Sequence, residues 1–145
     1  MIARYGASPD PGRRYTLRPG VYAILPRDGA LLVTHQQEPW PEFQLPGGGI
    51  DAGEQPLTAL HREVYEETGW HIARPRRLGA FRRFAYMPEY DLWAEKLCII
   101  YTALPVRPRG EPTEPGHSAH WMAPELAMEL LGNPGDRDFV ARCMR

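Results

Sequence analysis

The spacing of apolar and polar positions divides this chain into short alternating runs, one run of helical period, and an acidic interruption between them. Val21 to Leu25 and Ala30 to His35 are β-rich runs on either side of Pro26-Arg27-Asp28-Gly29. The Asp28-Gly29 pair favours positive φ, and a hairpin is predicted. "FQLPGGGID" reads as a short strand that ends at Pro46 and three glycines. From Gln55 to Thr68 the pattern becomes rich in Ala, Leu and Glu, admits Pro56 only in its first turn, and stops at Gly69, which predicts a helix. Leu57, Leu60 and Val64 lie on the side of that helix suited to a core.

Residues 70–73, 77–86 and 96–104 read as strands, the last carrying the apolar run "LCIIYTAL". Segment 105–119 holds four prolines and two glycines and is expected to be a loop. A short strand at "HWMA", a helix over 124–131 and a helical turn or two over 136–142 close the chain. Residues 1–14 read as a loose, flexible arm rather than an element. The expected architecture is an α/β layered domain with a mixed sheet, one domain over 15–145.

Length and charge narrow the function. A chain of 145 residues suits one domain with a sizeable core, and seventeen Lys and Arg against eighteen Asp and Glu leave a formal charge of −1. No overall basic field draws in a nucleic-acid polymer. Cys98 and Cys143 lack CxxC or metal-ligand spacing, the start "MIARYGASPDPGRR" lacks the apolar core of a signal peptide, and no apolar run approaches the ~20 residues that span a bilayer. A reduced, cytoplasmic protein with no membrane role is expected, its oligomeric state open.

The chemistry concentrates in "GGIDAGEQPLTALHREVYEETGW", Gly48 to Trp70. Residues three and four apart share a helix face, so Glu63, Glu66 and Glu67 converge on one side. Like charges at that spacing repel, and near a helix C-terminus the dipole disfavours anions as well. A hard divalent cation resolves the conflict, because Mg2+ takes a few carboxylate oxygens and keeps its other positions for water and substrate phosphates. Glycines 47–49 let backbone approach a ligand, and Glu54 with Arg62 is suited to a charge-assisted pair bracing that loop against the helix.

These residues resemble the Nudix box, GX5EX7REUXEEXGU with U a bulky apolar residue. Gly48, Glu54, Arg62, Glu63, Val64, Glu66, Glu67, Gly69 and Trp70 fill every defined position. The order of elements around the box is similar too, so the resemblance covers roughly residues 17–142. It implies a Nudix-type α/β/α sandwich, MutT-like, that hydrolyses a nucleoside diphosphate linked to another moiety with Mg2+, or Mn2+ in its place. The implied substrate is a small nucleotide. A (d)NTP cleaved to monophosphate and pyrophosphate comes first, a dinucleoside polyphosphate or nucleotide sugar second, and a non-catalytic nucleotide-binding regulatory domain is the reading from another class.

Carried over by the resemblance, Glu63, Glu66 and Glu67 bind metal, Gly47 adds a backbone carbonyl, and Glu54 and Arg62 brace. Glu66 and Glu67 are then catalytic through the metal. In MutT-like members a glutamate in the loop before a Trp-Met strand serves as general base; here Glu114 is the nearest match and Glu111 the second. His35 follows the second strand, where relatives carry a phosphate-binding arginine. Phe43 beside the glycine loop is a candidate to stack on a base, and Asn133 in "GNPG" a candidate to read one. His117 and His120 lack a third zinc ligand and are expected to be incidental.

Overall fold

A computed structural model of the chain describes residues 2–144. Among the described residues nine strands and three helices make two sheets between helical layers, and the alternation of the central strands serves both layers at once. The strands are β1 (Ala3–Arg4), β2 (Thr16–Ile24), β3 (Pro26–Arg27), β4 (Ala30–Gln36), β5 (Glu42–Gln44), β6 (Gly47–Gly49), β7 (Trp70–Met87), β8 (Leu92–Pro108) and β9 (His117–Met122). The helices are α1 (Pro56–Thr68), α2 (Pro124–Leu130) and α3 (Pro134–Cys143).

The first sheet runs β1-β7-β8-β2-β6 and is mixed, with β1 parallel to β7 and β2 parallel to β8. The second places β3, β5 and β9 against β4, all antiparallel. Val21, Ala23 and Leu25 pack with Leu32 toward Ala59, Leu60 and Val64 of α1. The alternate residues Ile24, Leu31 and Val33 pack with Phe81 and Ile100 toward Ala127, Phe139 and Val140 of α2 and α3. A strand polar on neither side is thus divided between two cores, and the α/β/α arrangement expected from the sequence follows.

Several boundaries differ from expectation. The hairpin is short: β3 pairs with only two residues of β4, while β2 turns into the other sheet, because its uninterrupted apolar run can be buried on both faces only beside β8. Residues 70–86 form one long strand with register shifts around Ala73 to Gly79 rather than two strands, since Arg74 accepts positive φ and Pro75 can sit in the bulge. The expected loop 105–119 shrinks to 109–116. Past Thr102, β8 has β7 on one side and no further pairing to β2, and prolines are tolerated on such an edge.

The N-terminal segment also contributes an element. Ala3 and Arg4 pair with Phe81 and Arg82, Tyr5 packs edge-to-face on Phe81, and its hydroxyl bonds Asp138. Leu57 does not reach the core and is 45% exposed; Ala59 fills the buried position beside Leu60 and Val64 instead.

Candidate active site

Helix α1 begins without a side-chain cap, with Pro56 in its first turn, and ends where Gly69 takes a left-handed conformation and returns its N–H to the Tyr65 carbonyl. A Cβ at Gly69 would collide with the carbonyl oxygen of Gly110, so this position admits both the turn and the close passage of the following loop. The loop is fastened there: Arg109 N–H donates to the Gly69 carbonyl at 2.7 Å, and the N–H groups of Thr113 and Glu114 both donate to the Glu66 carbonyl, at 2.8 and 2.9 Å. A helix leaves its last carbonyls unpartnered, and here the loop satisfies them. Glu114 is thereby held beside the acidic face.

On that face the three glutamates sit in three different environments. Glu67 is buried, 6% exposed, and its Oε1 accepts the Gly47 N–H at 3.0 Å. Gly47 adopts φ 150°, and a Cβ there would strike the Val21 carbonyl, so only glycine brings this amide onto the carboxylate. Burial pushes the Glu67 carboxyl well above its ordinary range. The charges of Glu63, Glu114 and Glu66 push the same way against the Gly47 hydrogen bond. Glu63 is also shifted up, by burial first, with Arg62 opposing.

Arg62 organises the rest. Its Nε and Nη2 hold both oxygens of Glu54 in a fork at 2.8 and 2.9 Å, Nη2 also reaches the Gly49 carbonyl at 3.2 Å, and Glu54 in turn accepts the Asp51 N–H. The arginine keeps the Glu54 carboxyl down at about 2, through the hydrogen bond above all. The expected brace is therefore formed. Arg62 also extends Nη1 between Glu63, at 3.0 Å, and Glu66, at 3.3 Å, a contact the sequence reading did not foresee.

Among the described residues no three carboxylate, imidazole or thiol groups are drawn together as a ready metal cage. Glu63 and Glu66 instead share one cationic nitrogen. The donor set still suits a hard cation: oxygen ligands only, one of them buried and carrying no arginine.

The remaining predicted residues separate into groups. Glu114 is half-buried and its charge acts on both Glu63 and Glu67, whereas Glu111 is exposed and acts on neither. His35 and Phe43 pair across β4 and β5 and stack edge-to-face at 4.7 Å, joined by His120, on the strand face that carries Val33 toward α2. They form a cluster with one another and not with the carboxylates. Asn133 is buried and caps α3, its Oδ1 accepting the Gly135 N–H at 2.9 Å.

His117 and His120 part company, as alternation along β9 requires. His117 turns to α1 and brings Nε2 to 3.4 Å from Glu67 Oε2, so it is no incidental histidine. The period-2 relation of His117 to Ala119, which packs against the α1 core, was the available signal.

Between the sheets, close to the glycine loop, a polar cavity is lined by Tyr22, Glu42, Gln44, Arg83, Lys96, Cys98, Asn133 and Asp136. Tyr22 lies opposite Gly47 in the β2–β6 pairing, which joins this cavity to the acidic face. Asp136, accepting a backbone hydrogen bond from Leu45, is raised to about 7 by burial, with Arg83 opposing.

Comparison with known proteins bears on the family and the fold. The NUDIX domain family model matches residues 15–143. A Bacillus subtilis (strain 168) protein with a provisional 8-oxo-dGTP diphosphatase name is 30% identical over 74 residues, 51% of this chain and 50% of its own. An RNA pyrophosphohydrolase of Mesorhizobium japonicum is 50% identical over 54 residues, 32% of this chain and 31% of its own. The match thus spans half or less of these curated relatives. A MutT protein from Bacillus halodurans superposes with a TM-score of 0.70 at 21% identity, over 86% of this chain and 80% of that one, a likeness of fold.

Proposed function

The chain belongs to the Nudix family, and on that premise we propose that it is a Mg2+-dependent hydrolase of the pyrophosphate bond in a nucleoside diphosphate-linked substrate. The observation that carries the proposal is the acidic face: three glutamates on one helix, one buried against a glycine amide, held together by a bracing Glu54–Arg62 fork. A face that costs so much in burial and repulsion is explained by a divalent cation and by little else.

Glu63, Glu66 and Glu67, with the Gly47 carbonyl, would hold the ion. When bound it would offset charge on the phosphate oxygens and acidify an attacking water. The protein's own part is placement. The Arg62 fork fixes the glycine loop to α1, and release of Nη1 from Glu63 and Glu66 frees their oxygens while Nε stays on Glu54. Glu114, hung from the Glu66 carbonyl, takes the proton of the attacking water. The polar cavity beside Tyr22 receives the nucleoside side of the substrate.

The relatives' names, one a diphosphatase and the other a pyrophosphohydrolase, share this bond and differ in what carries it, so the chemistry transfers further than the substrate. A (d)NTP is the first candidate. The test is chromatographic detection of the products of a panel, with Mg2+ and with EDTA: monophosphate and pyrophosphate from a nucleoside triphosphate, two nucleotides from a dinucleoside polyphosphate, and a mononucleotide and a sugar phosphate from a nucleotide sugar. Turnover of at least one class, abolished by EDTA, is expected. Metal-independent turnover, or tight nucleotide binding with no turnover of any panel member, would overturn the proposal.

A further inference from the structure

Register places three cations side by side on one face of the central sheet: Arg18 of β2, Lys96 of β8 and Arg83 of β7. Arg18 pairs with Lys96, and Lys96 with Arg83, so each side chain stands beside the next. Like charges directly opposite one another weaken a sheet. Arg18 leans away over the Tyr90 ring, 4.5 Å from its centre. Lys96 and Arg83 do not escape; they are half-buried and line the cavities between the two sheets.

Carboxylates are near this pair, but none neutralises it directly. Glu42 accepts from Trp40 Nε1 at 3.2 Å and from Gln44 Nε2 at 2.9 Å. Glu89 and Glu42 act on Lys96 through space, and Asp136 is held near neutrality by burial. Among the described residues no carboxylate lies within ion-pair distance of Lys96 or Arg83, and neither side chain makes a hydrogen bond. A half-buried charge without a partner is costly, and two facing each other cost more. Burial, and Arg83 next, depress the Lys96 ammonium below its ordinary range.

The position of the pair points to its use. Four residues of β2, about 13 Å at the strand rise, separate Arg18 in this row from Tyr22, which faces Gly47 beside the acidic helix. Gln36, Gln44 and Trp40 supply the opposite wall. We propose that Lys96 and Arg83 form a second anion site, which selects substrates carrying a negative group remote from the scissile diphosphate. A phosphate monoester on the ribose and a carboxylate on the attached moiety share that chemistry. The inference rests on the hydrolase reading above for what occupies the cleft, but its test does not depend on turnover.

Calorimetric binding of adenosine 5′-monophosphate, adenosine 3′,5′-bisphosphate, adenosine 2′,5′-bisphosphate and a 5′-monophosphate bearing a carboxylate on the base compares the sources directly. At least one doubly anionic ligand is expected to bind about tenfold or more tightly than the 5′-monophosphate, and which one identifies the source. Lys96→Met should abolish that preference, so that the doubly anionic ligand loses about tenfold more affinity than the 5′-monophosphate does, and keep or raise Tm, because a repulsion is removed. Arg83→Gln gives the same comparison if Lys96→Met does not fold. Equal binding of all ligands by the unaltered protein, or a preference surviving in both variants, overturns the site. Failure of the hydrolase reading shows instead as absent turnover of every nucleotide in the panel while this preference persists.

Discussion

The acidic face of α1 and the cationic row on the central sheet present the same electrostatic problem, and the molecule treats them differently. On α1, like charges are held by interactions within one short stretch of chain: Arg62 clamps Glu54 and touches Glu63 and Glu66, and the Gly47 amide caps Glu67. On the sheet, Lys96 and Arg83 face each other with no such clamp. One region satisfies most of its charge internally and leaves a cation-sized deficit. The other leaves its deficit almost whole. Unsatisfied charge, more than charge as such, marks where a ligand belongs.

The sharpest way to break the comparison is at its most buried member. Glu67→Gln should lower kcat on the order of a hundredfold or more with the fold retained, since the neutral amide keeps an oxygen for the Gly47 N–H but no longer attracts a cation. Kinetics with far-ultraviolet circular dichroism as the fold check decide it. An active Glu67→Gln variant would mean that the acidic face is only a solved packing problem.

A smaller effect is expected at the loop. Glu114→Gln should reduce kcat at least about tenfold and weaken the acid limb of the pH–rate profile, and Glu111→Gln should do less. The Glu66 carbonyl anchors Glu114 and not Glu111, so the reverse order of damage would show that the loop is re-hung when substrate binds.

The smallest effect lies in the cleft. Asp136 binds its proton more tightly when folded, near 7, than the ordinary 3.8, so the folded state holds more protons between those values and stability falls as pH rises from about 4 to about 7. Asp136→Asn should therefore be more stable than the unaltered protein above pH 7, by about 1 kcal/mol or more, with the gap closing toward pH 4. Urea unfolding at pH 4.5, 6 and 8 measures it. A gap independent of pH would place the cost in packing and not in charge.

The two regions were also unequally legible. The acidic face is written in sequence spacing, because a helix fixes which residues meet three and four positions apart, and Glu54, Arg62, Glu63, Glu66 and Glu67 all stand within one helix and its preceding loop. The pairing of Arg83 with Lys96 joins residues 13 apart through a hairpin whose register is set by the turn between Met87 and Leu92, and the spacing of the two cations does not encode that turn. The surroundings of His35 and Phe43 were illegible for a related reason: position along the chain does not say which sheet face a side chain takes, and register puts both with His120. Asn133 was doubly readable, as a turn residue or a base reader, and its carbonyl oxygen is engaged in capping α3.

The far end of β8 carries one more consequence. Beyond Thr102 this strand has an open side, and an open strand is a template on which another copy of the chain can stack. Pro105 and Pro108 remove two of the N–H groups such a stack would need, and the Pro105 carbonyl is already taken by Arg27 Nη1 at 2.8 Å. The same prolines that make the segment look like a loop in the sequence thus protect a sheet margin from aggregation. They leave the adjoining loop, with Glu114, free to serve the site.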